Sequence, residues 1–252
     1  MKFNNIDKIY FLHLSDRYDR EEWMNKQIQQ IKFPKNKVNI WWTCRRRISL
    51  DISKYIPSIY NQYSYLLNSN PNVVANAFNC AFEHYNIIRT SYERGFKHIL
   101  IFEDDVKFLV DIKMFKYFIN HIPDDYNICK LHNHVIRKND NHVQFLNKST
   151  NLRPIPIHIK NLKEPLFYEE KECFLSTAAY LINRTGMKSI IESYNSNFTV
   201  ADLVFNSLGP NIKIYCPNYQ LVTTQDWNCK PNEYLWSDLW KLNTSQRFNQ
   251  FK

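Results

Sequence analysis

The chain has 252 residues, 44% hydrophobic and 23% charged, and this composition excludes a disordered or fibrous protein. Its net charge of +9 suits anionic partners such as nucleotide phosphates, nucleic acid or anionic lipid heads, without choosing among them. No stretch approaches the roughly 20 apolar residues of a membrane span, and the first residues lack the features of a signal peptide. We therefore expect a soluble, cytoplasmic protein and leave peripheral membrane contact open.

The cysteines are scattered along the chain and form no C-x-x-C pair. We therefore expect reduced thiols that mostly pack in the interior, and no zinc site. The six positions are Cys44, Cys80, Cys129, Cys173, Cys216 and Cys229.

The first third of the chain alternates strand and helix patterns. Residues 8–14 (KIYFLHL) predict a buried strand, and either Ser15 or Asp16 is expected to cap the following helix. Residues 38–44 (VNIWWTC) predict a second strand. Residues 48–70 have no clear period and are interpreted as a loop with a short helix.

The middle of the chain contains the clearest helix pattern. Residues 72–94 carry an apolar stripe, and Gly95 is expected to end this helix. A buried strand over 97–102 then runs into three carboxylates. Residues 111–122 predict a helix, and 126–131 predict another strand after a turn.

The last part begins with a polar, proline-containing segment, 136–171, interpreted as an insertion that is irregular or two-stranded. Residues 174–182 predict a strand, and Thr185 is expected to cap the helix after it. The remaining predicted elements are one short helix and two strands, at 201–208, 212–215 and 219–223. This alternation predicts a single α/β domain over 1–252 with a mostly parallel sheet.

The three carboxylates at 103–105 stand where a parallel strand ends, which is where ligands bind in such sheets. Adjacent like charges repel one another, and a divalent cation such as Mn²⁺ or Mg²⁺ would remove the repulsion. Strand alternation would send Glu103 and Asp105 to one side and Asp104 to the other. A solvated turn with no ligand is the simpler alternative.

Four sequence blocks resemble one known family in order and spacing. They are IDKIYFLHLSDRYDR, NCAFEHYNIIRTSYERGFKHILIFEDDV, STAAYLINRTGMKSII, and VADLVF together with YCPNYQLVTTQ. The chain thus resembles glycosyltransferase family 25, which includes bacterial lipooligosaccharide galactosyltransferases and collagen hydroxylysine galactosyltransferases. The departures are His13 for Asn, Asn79 for Gly, Glu83 for Ser and Ser176 for Gly.

The resemblance implies a GT-A-type nucleotide-sugar transferase fold and an inverting transfer. The donor would be a UDP-hexose, with galactose as the family default, and the cofactor Mn²⁺ or Mg²⁺. The acceptor would be a hydroxyl on a glycan, a glycolipid or a hydroxylysine-type protein. No specific nucleic-acid partner is expected.

The same resemblance implies roles for individual residues. Glu103 and Asp105 would hold the metal. Asp202 would be the catalytic base, with His84 as a second catalytic candidate. The residues implied to bind the donor are Leu14, Arg17, Arg20, Asn76 and Asp104.

Each of these roles has a structural alternative. Arg17 and Arg20 could belong to a solvated helix turn, with Arg20 paired to Asp16. His84 could be a satisfied core histidine. Asp202 could simply favour the start of a helix through the helix dipole.

Two other functions stay open. The six tryptophans and 16 tyrosines would suit stacking on sugars or bases in a carbohydrate- or nucleic-acid-binding module that lost catalysis. A two-metal nuclease using Asp104 and Asp105 would need further carboxylates from other strands, and the sequence offers no second strong acidic cluster.

Overall fold

The structure is a computed structural model. It describes residues 1–43, 71–132, 136–139, 142–145, 165–170, 176–196, 198–199 and 201–225. Within these ranges, only the backbone is described for 71–78, 136–139, 142–145 and 202–203. The loop predicted over 48–70 lies outside the described residues.

The described part of the chain contains strands and helices in alternation. The strands are β1 (Lys8–Leu14), β2 (Val38–Thr43), β3 (His98–Glu103), β4 (Val106–Phe108), β5 (Ile128–Lys130), β6 (Ile136–Asn139), β7 (His142–Phe145), β8 (Phe167–Glu169), β9 (Ala179–Asn183), β10 (Ile214–Pro217) and β11 (Val222–Thr224). The α-helices are α1 (Tyr18–Ile31), α2 (Pro71–Glu93), α3 (Ile112–Asn120) and α4 (Arg184–Ser196). The 3-10 helices are η1 (Phe3–Asn5) and η2 (Ala201–Ser207).

Seven of these strands form one sheet in the order β2-β1-β3-β9-β5-β10-β8. Five strands run in the same direction, whereas β9 and β8 run antiparallel to their neighbours. The predicted α/β architecture with a mostly parallel sheet is therefore confirmed. Because β9 is reversed, its amino end lies beside the carboxyl ends of β3 and β5.

Successive residues of the central strands face opposite sides of the sheet, and each side is buried by helices. Phe11 and Phe102 pack with side chains of α1 and α3 on one side. Tyr10 and Ile101 pack with side chains of α2, α4 and η2 on the other. The sheet thus has a hydrophobic core on both faces, as α/β domains require.

The helix ends show which capping predictions hold. Gly95 follows α2 with a φ of 78°, as expected of a residue that ends a helix in the left-handed conformation. The caps predicted for α1 are wrong, because Arg17 occupies its N-cap position and no side chain caps it. Thr185 is not a cap either: α4 begins at Arg184, and Asn183 accepts the backbone N–H of Gly186 at 2.9 Å.

The polar segment after residue 136 is partly two-stranded, because β6 and β7 form an antiparallel pair. Its end belongs to the main sheet, where β8 pairs with β10. The short strand β4, absent from the prediction, pairs with β11. None of the helices in the described ranges is long and apolar enough to cross a membrane.

Candidate functional site at the end of strand β3

The three carboxylates lie where β3 ends. Glu103 is the last residue of β3, and Asp104 and Asp105 form the turn into β4. The ends of β1 and β3 and the start of β9 meet at this edge, because β1 and β9 are the two neighbours of β3. Polar side chains from all three strands can therefore converge here.

Asp104 is buried, and both of its oxygens accept hydrogen bonds. Oδ2 lies 2.9 Å from Nδ1 of His13 and 3.2 Å from the backbone nitrogen of Leu14. Oδ1 lies 2.7 Å from Nη1 of Arg20. Burial alone would raise the pKa of Asp104, but the bonds from His13 and Arg20 hold it below its usual value. Asp104 is thus an ionised anchor that ties the turn to β1 and α1.

Asp105 has a different environment. Its Oδ2 lies 3.4 Å from Nη1 of Arg20, while its buried Oδ1 has no hydrogen-bond partner among the described residues. Burial, together with the charges of Glu103 and Asp104, raises the pKa of Asp105 to about 7 despite the opposing effect of Arg20. An unsatisfied buried carboxylate oxygen costs free energy unless a ligand occupies it.

The alternation expected for the triplet stops at Glu103. Asp104 and Asp105 follow the strand in a turn, so both approach the guanidinium of Arg20. Arg20 therefore does not merely pair with Asp16, as the simpler alternative supposed. It shares its charge between two carboxylates of the triplet.

Glu103 has different partners, which come from α2 and from the residues just before β9. Thr177 donates its hydroxyl to Oε1 of Glu103 at 3.0 Å, and Nε2 of His84 lies 3.4 Å from the same oxygen. Burial would raise the pKa of Glu103, but the contacts with His84 and Thr177 hold it below its usual value. Nδ1 of His84 forms a hydrogen bond of 2.9 Å with the hydroxyl of Tyr180.

The charges of this edge fit a divalent cation. Once a cation displaces the proton of Asp105, the three ionised carboxylates and the guanidinium of Arg20 leave a net charge of −2. Asp104 has no oxygen to spare, whereas Asp105 presents an unsatisfied oxygen and Glu103 is about a quarter exposed. Glu103 and Asp105 are therefore the members of the triplet that could hold Mn²⁺ or Mg²⁺, which prefer carboxylate oxygens.

The remaining predicted residues are spread around this edge. Leu14 contributes its backbone N–H to the Asp104 contact. Arg17 forms a fork with Asp19, at 2.9 Å through Nε and 2.7 Å through Nη2, which ties it to the first turn of α1. Asn76 lies in α2 and Asp202 in η2, and their side chains lie outside the described residues.

Several contacts were not anticipated from the sequence. His13 was noted as a departure from the family but not as a site residue, and Thr177 and Tyr180 were not singled out. All three lie at the end of β1 or beside the start of β9. A correct prediction that β9 is antiparallel would have placed Thr177 and Tyr180 at this edge.

Two of the residues that differ from the family pattern, Glu83 and Ser176, form hydrogen bonds with other side chains. Glu83 is only 5% exposed and accepts the indole N–H of Trp41 at 2.9 Å. Ser176 has a φ of 118°, in the region that favours glycine, which agrees with the Gly usual at this position. Its hydroxyl contacts Nδ1 of His132 at 2.7 Å and accepts the N–H of Ala178 at 3.2 Å.

The fold and the site together define an α/β protein with a cluster of acidic side chains at the carboxyl ends of parallel strands, where such folds bind ligands. The chain belongs to glycosyltransferase family 25 (LPS biosynthesis protein), whose family model matches residues 6–204. The resemblance inferred from the four sequence blocks is thus confirmed, and the protein is a glycosyltransferase by family. No curated protein sequence matches the chain.

The solved structures that match the chain include glycosyltransferases, each at low similarity. One is a glycosyltransferase involved in the glycosylation of the major capsid of PBCV-1, with 10% identity, a TM-score of 0.41, and coverage of 90% of this chain and 96% of that chain. The bifunctional glycosyltransferase WbbM has 12% identity and a TM-score of 0.39, covering 92% of this chain but 44% of WbbM. Mouse xyloside xylosyltransferase 1 has 8% identity and a TM-score of 0.38, covering 88% and 98%.

Proposed function

We propose that this protein is a metal-dependent, GT-A-type transferase that moves a hexose from a UDP-sugar to a hydroxyl acceptor, with inversion at the anomeric carbon. Galactose is the donor sugar that family membership favours. One observation carries the proposal: Asp104 is fully satisfied by protein groups, while its neighbour Asp105 keeps a buried oxygen without a partner in the described structure.

Asp105, with Glu103, would hold Mn²⁺ or Mg²⁺ at the end of β3. When bound, the ion neutralises charge on the departing nucleoside diphosphate and so helps the leaving group. The contribution of the protein is to fix this carboxylate pair. Asp104 does so by anchoring the turn to His13 and Arg20, which leaves Asp105 little freedom to rotate away.

Arg20 has a second role in this proposal. Its guanidinium holds Asp104 and approaches Asp105, so a positive charge stays at the place where a diphosphate would bind. Leu14, Arg17 and Asn76 are proposed donor contacts on family grounds. The Asp19 pairing of Arg17 makes it the weaker of the two arginine candidates.

Inversion in a single displacement requires a base for the acceptor hydroxyl, and Asp202 is proposed for this role. Support comes from the packing of η2, the helix that contains it. Phe205 of η2 packs on Tyr180 with ring centroids 5.3 Å apart, and Tyr180 bonds His84 beside Glu103. The helix of Asp202 therefore borders the cluster that includes Glu103, and His84 is the second candidate base.

The net charge of +9 fits this function, because both a nucleoside diphosphate and an anionic surface attract a basic protein. We propose a glycan or glycolipid acceptor, with a hydroxylysine-type protein as the alternative acceptor. A cytoplasmic location with peripheral membrane contact would suit a glycolipid acceptor.

The deciding experiment compares Asp105→Asn with Asp125→Asn, a matched change at an exposed acidic residue. Calorimetry with UDP and Mn²⁺ should show wild-type binding for Asp125→Asn. Asp105→Asn should bind at least ~10-fold more weakly, because it lacks the charged ligand. Manganese-dependent hydrolysis of UDP-galactose should fall in parallel. Wild-type binding and turnover of Asp105→Asn at limiting Mn²⁺ would refute the metal assignment.

A further inference from the structure

A second group of ligand-type side chains lies next to the carboxylate triplet. Cys80 and His84 are four residues apart on α2, so they share one face of the helix, and Glu103 faces them from the end of β3. Their ligand atoms all lie within 4.8 Å of one another. The cysteine and the histidine come from a helix, and the carboxylate comes from the strand packed beside it.

His84 has the surroundings of a metal ligand. It is buried, Nδ1 is bonded to the hydroxyl of Tyr180, and Nε2 has no hydrogen-bond partner within the described ranges. Histidines that bind metals usually donate their other ring N–H to a fixed acceptor, which sets the tautomer. With Nδ1–H donating to the Tyr180 oxygen, Nε2 would offer its lone pair to a cation held between it and Glu103.

The distance between Nε2 of His84 and Oε1 of Glu103 matches the spacing of two ligand atoms on one zinc ion. At 3.4 Å the two atoms are too far apart for a strong hydrogen bond. Two ligand atoms bound at about 2.0–2.2 Å to one tetrahedral zinc ion lie roughly 3.3–3.5 Å apart. The observed distance therefore equals the edge of a zinc coordination tetrahedron, and Thr177 holds the carboxylate oxygen in place.

The donor set also selects the metal. A thiolate, an imidazole and a carboxylate carry a combined charge of −2, so one Zn²⁺ would make this group neutral, in which His84 is buried and the other two residues are partly buried. Sulfur is a soft ligand that suits zinc and does not suit Mn²⁺ or Mg²⁺. A manganese or magnesium site would instead use the oxygens around Asp105.

We propose that Cys80, His84 and Glu103 bind one Zn²⁺, with a fourth position left for water or another ligand. The site would be separate from the cation site at Asp105, although both involve Glu103. Zinc would join α2 to the end of β3 and hold Glu103 in place. The lack of C-x-x-C pairs predicted no zinc site, but this ligand set needs only one cysteine.

The test measures zinc in the full chain, purified without chelator, by plasma mass spectrometry. Wild type should contain about one zinc per chain, and Cys80→Ser should contain less than about one tenth of that. Cys216→Ser is the matched control, because Cys216 lies in β10, outside the cluster, and this variant should keep its zinc. Wild type without zinc, or Cys80→Ser with full zinc, would overturn the proposal.

Cobalt substitution in the wild type covers the case in which Cys80→Ser fails to fold. Co²⁺ should give a thiolate-to-metal charge-transfer band and the intense visible bands of a tetrahedral site. A cobalt spectrum without the thiolate band would overturn the proposal.

The donor-site metal and the zinc can be tested independently. Asp105→Asn should lose UDP–Mn²⁺ binding and keep zinc. Loss of zinc from Asp105→Asn would show a single shared site and overturn the inference of a second one, whatever its effect on UDP binding.

Discussion

Nδ1 of His13 lies 2.9 Å from Oδ2 of Asp104, and this contact joins the end of β1 to the turn after β3. Because the pKa of Asp104 is held low, the carboxylate is ionised and the imidazole donates the proton. Arg20 occupies the other oxygen at 2.7 Å. Asp104 therefore holds the turn in place, and Asp105 is the residue of the turn that remains available to bind a ligand.

The two arginines at the start of α1 should differ in their effect on stability. Arg20→Ala leaves the buried Asp104 and Asp105 without their cation and should lower the free energy of unfolding by about 2–4 kcal/mol. Arg17→Ala removes a pair with Asp19, an exposed carboxylate that water can solvate, and should cost less than about 1 kcal/mol. Urea unfolding of both variants measures the difference. Equal losses would mean that the contacts of Arg20 are no more important than a surface pair.

The raised pKa of Asp105 predicts a pH-dependent stability in the absence of metal. Folding raises this pKa from 3.8 to about 7, so the stabilising effect of the bound proton is present below pH 3.8 and is lost as pH rises through 7. Asp105→Asn lacks the ionisation and should be more stable than wild type at pH 8, by up to about 4 kcal/mol. Near pH 5 the difference should fall to about 1.5–2 kcal/mol, and below pH 3.8 it should disappear.

Unfolding in urea with EDTA at both pH values tests this expectation. Adding Mn²⁺ at pH 8 should then stabilise the wild type and leave Asp105→Asn unchanged. A stability difference that stays constant between pH 5 and pH 8 would show that Asp105 is not the titrating group.

Loss of the proposed base should separate binding from chemistry. Asp202→Asn should bind UDP and Mn²⁺ about as well as wild type, because a base acts only as the new bond forms. It should transfer sugar at least ~100-fold more slowly, the usual effect of a lost general base. Calorimetry and single-turnover transfer to a working acceptor give the two readouts. Normal transfer by this variant would return Asp202 to a structural role at the start of its helix.

A glycine in α4 provides a packing test. A Cβ at Gly186 would lie 2.6 Å from the backbone oxygen of Asn127 and 2.9 Å from Cγ1 of Ile182. Gly186→Ala should therefore lower the free energy of unfolding by about 1–3 kcal/mol, although alanine usually favours a helix. Gly209→Ala meets no atom within 4 Å and should leave stability unchanged or raise it by up to about 1 kcal/mol. Thermal unfolding of the two variants distinguishes a steric clash at Gly186 from a general effect of replacing glycine with alanine.

The sequence was sufficient for the elements with strong periodicity. The apolar runs of β1 and β3 are typical of buried strands, and the apolar stripe of α2 is typical of a helix. Gly95 indicates a helix end because glycine readily adopts the left-handed conformation. The three-residue strand β4 is too short to show a period. The cap of α4 was misassigned because Asn183 and Thr185 are both good caps, and only the chain path decides between them.

The site was predictable only in part. The acidic triplet stood out because three carboxylates follow a buried strand, and its position at a strand end is confirmed. Its partners could not be read from local patterns, since His13 and Arg20 lie 91 and 84 residues from Asp104 along the chain. Only the parallel pairing of β1 with β3 brings them together.

The reversed strand β9 imposes an order on the folding of the chain. It lies between β3 and β5 in the sheet, yet it is synthesised after both. Until residue 183 leaves the ribosome, the inner edge of β3 has no partner, and its apolar residues Ile99–Phe102 remain open to pairing with another chain. The same strand brings Thr177 and Tyr180 to Glu103 and His84, so the step that joins β3 to β5 also adds these two partners to the site.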